Sequence, residues 1–228
     1  SAPMCSVIVT GQNSPWLLLA ISLGIAAMHA RRWILAGLCF AVLGLKPNWL
    51  PLLLGWLALR QHWKVLGTTT VAGLVMIGST APLGIDVWES FQTSSLGYGA
   101  YVLHHYPVDK LITIHAALRM LPAIQGHVLT GLWICGTLVG LWSCWEAWRA
   151  ERSLMAQAGL IILVTVACNV YTNFYDALLL SIPAAVWWFE RDTYAPQIWS
   201  LIAIMIGTGW CWMWVHFFAA RGATPGHL

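Results

Sequence analysis

The sequence predicts an all-α polytopic membrane protein of about eight transmembrane helices. Three observations carry this. Hydrophobic residues make up 59% of the 228 and charged residues only 8%, where a typical soluble domain carries about 25% charge. The apolar residues come in solid runs, not in the period-two alternation of a membrane β-barrel strand. The runs are separated by short polar or basic punctuation, and a segment exposed to lipid must satisfy its own backbone, which makes each run a helix. So little charge cannot cover a globule in water, which excludes an ordinary soluble domain and a disordered tail. A net charge of +3 is too small and too dispersed for a nucleic-acid partner.

The apolar segments run approximately Pro15–His29, Trp33–Leu45, Pro47–Leu59, Val65–Leu83, His127–Trp148, Ala156–Val170, Ala177–Phe189 and Ile198–Phe218. The second, third and seventh are short for a bilayer that takes about 20 residues to cross. Pro51 and Pro183 stand where a kink or break would fall in two of them. The reading is a single transmembrane domain over residues 1–228, with an outer loop at about 84–126. Connections of that length tend to be functional. The first residues, Ser1-Ala2-Pro3-Met4-Cys5, have no basic stretch followed by an apolar core, and further membrane helices are expected upstream.

Basic residues give the orientation. One set of turns holds Arg31, Arg32, Arg60, Lys64, Arg149, Arg152 and Arg191, and the opposite set has only Lys46, Lys110, Arg119 and Arg221. The denser set is expected on the cytoplasmic side. Trp16, Trp33, Trp63, Trp148 and Trp199 fall at span ends, where indole prefers the interface. Gly136 and Gly140 form a GxxxG suited to close helix packing. The six cysteines form no CxxC and read mostly as small apolar residues. No spacing supports a metal site, and no cofactor is implied.

The outer connections carry the chemistry-bearing side chains: Gln12 and Asn13; Lys46-Pro47-Asn48; Asp86, Glu89, His104 and His105; and the run from Asn169 to Asp176 that includes Tyr171 and Tyr175. Four connections bringing amides, carboxylates, a lysine and tyrosines to one face suggest an active site at the outer membrane surface. Lys46 stands out, because a cation near membrane depth is expensive and usually has a partner. Pro47 fixes the backbone after it, which could aim the ammonium at a lipid phosphate; the alternative is a lysine that snorkels to the headgroups. Asp176 reads either as a site residue or as a plain helix N-cap. Asp86, Glu89, His104 and His105 are weaker candidates, readily explained as solvated loop residues.

These outer motifs, in this order, resemble glycosyltransferase family 87. The resemblance rests on Gly11-Gln12-Asn13 before a helix and on Leu38–Leu45 leading into Lys46-Pro47. It rests also on Ala116-Ala117-Leu118-Arg119-Met120-Leu121, similar to the family's Ala-Ala-x-Arg-Leu-Leu. The last stretch is Tyr171-Thr172-Asn173-Phe174-Tyr175-Asp176-Ala177-Leu178-Leu179-Leu180, similar to its Pro-Tyr-x-x-x-Tyr-Asp-Leu-x-x-Leu. The chain departs from the pattern at Val170, where the family often has Pro, and at His115, where an aromatic is common.

The resemblance implies a C-type membrane fold and transfer of a hexose, mannose by analogy, from a polyprenyl-phosphate donor to a lipid or glycan acceptor, with inversion. The setting it implies is a bacterial inner membrane. A carboxylate takes the acceptor's proton and a cation steadies the departing phosphate. The family's catalytic Asp belongs to a first external loop upstream of this chain, so no residue here inherits that role. Lys46 is the expected donor-phosphate contact, with Gln12, Asn13, Asn48, Tyr175 and Asp176 lining the pocket. Competing readings are a transporter, a non-catalytic membrane subunit, and an ion channel whose filter would be Thr93–Gly99.

Overall fold

The computed structural model describes residues 13–104, 111–121, 123–169 and 172–190. Among these the protein is helical throughout: α1 (Ser14–His29), α2 (Trp33–Ala41), α3 (Leu50–Leu59), α4 (Trp63–Gly78), α5 (Ile85–His104), α6 (Ile114–Arg119), α7 (Gly126–Arg149), α8 (Leu154–Cys168) and α9 (Ser181–Glu190). The described residues contain no strand, only an isolated antiparallel bridge between Leu111 and Asn173. Pro15 and Pro51 sit in the first turns of α1 and α3, where a missing N–H costs nothing. They start helices and do not kink them. Thr113 and Ser153 cap α6 and α8 by accepting the N–H of Ala116 and Ala156.

Two stretches, Trp63–Leu83 and Gly126–Arg149, are long and apolar enough to cross a membrane, and five further apolar helices are shorter. The second and third expected spans are shorter than the apolar runs because each is part α-helix and part 3-10 helix. The tighter turns cover Val42–Leu45 after α2 and Pro47–Trp49 before α3. The seventh is likewise divided, into a 3-10 segment Phe174–Leu180 and α9. The eighth, Ile198–Phe218, lies outside the described residues. Within the expected outer loop at 84–126 the described backbone forms α5 and α6. Residues Thr93–Gly99 are α-helical within α5, which removes the extended backbone a channel filter needs.

The chain divides into two compact units, residues 15–107 and residues 1–14 with 108–228. In the first, α2 lies against α4 at close range. A methyl group at Gly37 would come within 2.5 Å of Thr68 Cβ and 2.8 Å of the Val65 carbonyl. Thr69 Oγ1 donates to the carbonyl oxygens of both Gly37 and Val65. Gly24 of α1 meets the Phe40 ring in the same way.

In the second unit α8 is the central helix, buried along most of its length and packed by both α7 and α9. Gly140 admits Val164 and Cys168, and Gly159 admits Pro183 and Val186. Small residues let helix backbones approach where the apolar surroundings give little drive of their own. Gly140 thus performs the packing role expected of the GxxxG pair.

Candidate functional site

Lys46 occupies the break between the two 3-10 turns, with φ −139° and ψ 75°. Its N–H donates to the Leu43 carbonyl at 2.9 Å, and its own carbonyl accepts from Trp49 N–H at 3.0 Å. Pro47 has no N–H to continue a helix, so the backbone unwinds at Lys46 and restarts beyond it. The Lys46 side chain is half-buried, Asn48 is exposed and Trp49 is buried. The lysine therefore stands in the unwound connection between α2 and α3, in the unit of residues 15–107.

The second group of polar side chains belongs to the other unit. Asn173 caps the 3-10 segment, and Asp176 stands at its third position in a reciprocal capping box. The Asp176 carboxylate accepts the Asn173 backbone N–H at 3.2 Å and the Ser14 hydroxyl at 2.7 Å. Asp176 and Thr172 are 0% exposed and Asn173 is 1%. Asp176 thus helps to cap as the sequence allowed, but Asn173 is the N-cap residue itself.

Residues Leu111–Thr113 lie alongside this segment. Ile112 N–H donates to the Thr172 carbonyl at 3.0 Å, next to the Leu111–Asn173 bridge. His115, 6% exposed, packs edge-on against Trp133 at 6.0 Å. The Trp133 indole in turn donates to the Cys168 carbonyl at 2.8 Å. Burial, reinforced by Arg119, pushes the His115 pKa below the usual imidazole value, because a charged ring would lose its hydration. Among the described residues His115 Nδ1 and Thr172 Oγ1 are buried polar atoms without a hydrogen-bond partner.

The structure therefore brings Asp176 together with Ser14, Asn173 and the Leu111–His115 stretch, and keeps Lys46 with Asn48 in a separate unit. Asn13 is half-buried just before α1, and Asp86 and Glu89 are exposed on α5. Gln12 and His105 lie outside the described residues, as do the side chains of His104 and Tyr175. Sequence reasoning missed Ser14, Thr113 and Thr172. Ser14 had a readable signal, a serine immediately before the proline that opens a helix. Thr172 had none, since its burial depends on residues 60 positions away.

What the arrangement offers chemically is a cation in an unwound turn and a dry, braced carboxylate. The first can meet an anion, whereas the second holds backbone in place. No curated protein and no solved structure matches the chain. The family model described as Glycosyltransferase family 87 matches residues 1–172. The match covers the Lys46-Pro47 and Ala116–Leu121 stretches and ends at Thr172, so Asn173–Leu180 fall beyond it. On 172 of 228 residues, the chain belongs to glycosyltransferase family 87.

Proposed function

We propose that this glycosyltransferase is a multi-pass membrane enzyme that moves a hexose, mannose by analogy, from a polyprenyl-phosphate donor to a lipid or glycan acceptor. The reading places the reaction at the outer face of a bacterial inner membrane. The family match over residues 1–172 is the observation that carries it. Two helices long enough to span a membrane, and five shorter apolar ones, support the membrane setting.

In this reading Lys46 contacts the donor phosphate. Its ammonium would neutralise charge as the glycosidic bond to phosphate breaks, which is where a fixed positive group lowers a barrier most. Its place in an unwound turn supports the role, since a lysine on a regular helix face would be free to sweep through solvent. Asn48 sits two residues on, and with Gln12, Asn13 and Tyr175 would line the pocket for sugar or lipid phosphate. Asp176 acts as a positioning residue, because both its oxygens are engaged within the fold. The base that takes the acceptor's proton is not assigned to any residue of this chain.

The test is sugar transfer in membranes carrying the complete gene product, supplied with labelled polyprenyl-phosphate-mannose. Lys46→Ala is expected to lower the transfer rate by about 100-fold, the loss typical of removing one charge-stabilising donor, with Lys46→Arg retaining part of it. Unchanged transfer in Lys46→Ala would sink the assignment. Absence of transfer from every polyprenyl-phosphate sugar would sink the donor class.

A further inference from the structure

Helix α5 is the element that the fold leaves uncovered. All its described side chains are exposed, Ile85 at 71% and Phe91 at 64% among them. At 100° per residue, Ile85, Val87, Trp88 and Phe91 fall on one half of the helix, with Gln92 as the one polar residue among them between Trp88 and Ile85, and Asp86, Glu89, Ser90 and Thr93 fall on the other half. The Trp88 and Phe91 rings meet edge to face at 6.3 Å, forming one aromatic ridge. A helix divided in this way is too polar to cross a bilayer and too apolar on one side to be at rest in water.

The surface it continues says what covers it. Helix α4 opens the span-length stretch Trp63–Leu83, and its Val71, Leu74, Val75 and Ile77 are exposed. Only Gly84, at φ 90°, separates Leu83 from Ile85. That backbone region is open to glycine and closed to most other residues, so the chain can turn there within one residue. The exposed apolar band therefore runs from the span through Leu83 directly into Ile85, Val87, Trp88 and Phe91.

We infer that α5 lies in the plane of the membrane surface, its Ile85–Val87–Trp88–Phe91 half inserted at the boundary between headgroups and acyl chains. This rests on the reading of α4 as a membrane span. Helices of this kind bind by buried apolar area plus attraction to anionic lipid. The described part of α5 has two acids and no lysine or arginine, so only the apolar contribution operates. Insertion is then indifferent to anionic lipid content, and Asp86 and Glu89 face water.

The experiment places benzoylphenylalanine, one site at a time, at Leu74, Trp88, Ser90, Phe91 and Thr93 of the full chain. The protein is reconstituted into phosphatidylcholine vesicles with and without phosphatidylglycerol, irradiated, and its adducts identified by mass spectrometry. Lipid adducts are expected at Leu74, Trp88 and Phe91, at least tenfold above Ser90 and Thr93, with yields unchanged by phosphatidylglycerol. Lipid adducts at Leu74 alone, at all four α5 sites equally, or protein adducts at Trp88 and Phe91 overturn the inference and leave α4 as a span. A yield that depends on phosphatidylglycerol overturns the apolar mode of insertion. No lipid adduct at Leu74 overturns the membrane reading itself.

Discussion

Two kinds of connection alternate along this chain, and they are built differently. The turns after α1, α3 and α7 are the basic ones, and all three share one hydrogen-bond pattern. Arg31, Gln61 and Glu151 adopt φ of 58°, 55° and 49°. In each turn the following residue's N–H reaches back five positions, as Arg32 to Ala27, His62 to Leu57 and Arg152 to Ala147. This is the Schellman arrangement, which closes a helix with its last carbonyls satisfied. The connections after α2, α4 and α8 instead contain 3-10 segments, at Val42–Leu45 with Pro47–Trp49, at Ala81–Leu83, and at Phe174–Leu180. Lys46, Asn48 and Asp176 lie in or beside one of these, whereas Asn13 precedes α1 and Asp86, Glu89 and His104 belong to α5. The first kind ends a helix and starts another with minimum chain. The second spends residues on unwound backbone that presents Lys46 and buries Asp176.

The comparison is sharpened most by Lys46. Removing it should lower transfer about 100-fold, while the same change at Arg31 should leave the rate within about twofold; rates on labelled donor decide. Next comes the buried carboxylate. Asp176→Ala strands the Ser14 hydroxyl and the Asn173 N–H and should cost about 3 kcal/mol, read as a lowered Tm in detergent, with Asp176→Asn losing less. At the α2–α4 crossing, Gly37→Ala forces a methyl against the Val65 carbonyl and should cost about 2 kcal/mol in the same assay.

A smaller effect separates the two histidines from the rest. Burial, reinforced by Arg60 and Arg119 respectively, lowers the His62 and His115 pKa values. Unfolding lets these rings take up protons that the folded protein refuses. Stability is therefore full above about pH 6.5, the unfolded value, falls as pH drops below it, and levels off below the folded pKa. Tm measured between pH 7.5 and 5 should show this slope, and His62→Phe, which keeps the stack on Trp33, should flatten part of it. The smallest change is a gain. Arg31→Gly or Glu151→Gly relieves a left-handed side chain and should stabilise by up to about 1 kcal/mol. A loss there would show that the Arg31 or Glu151 side chain contributes more than its backbone strain costs.

The sequence made the helices visible where apolar residues run unbroken, as in Trp63–Leu83 and Gly126–Arg149. It hid α5, because Ser90, Thr93, Ser94 and the glycines at 97 and 99 read as loop composition, while the helix is visible only by plotting Asp86, Glu89 and Thr93 against Trp88 and Phe91 at helical spacing. The 3-10 segments were also hidden, since a tighter turn has no distinctive composition; only Pro47 marked one. For the site, Lys46 was legible as a cation between apolar runs. The role of Asp176 was half legible. An Asn three residues before an Asp before an apolar run is a variant of the capping box, but the partnership with Ser14 is a tertiary contact that no local pattern announces.

That partnership has a consequence for how the protein is made. Ser14 and Asp176 are 162 positions apart. At roughly 5–20 residues per second of synthesis, the start of α1 leaves the ribosome about 8–30 s before the carboxylate it bonds. During that interval the hydroxyl must remain hydrated, and the brace closes only after α8 is complete. A nascent chain that stops before Asp176 carries every transmembrane-length helix described here and still lacks the contact, so this bond distinguishes a finished unit from an unfinished one.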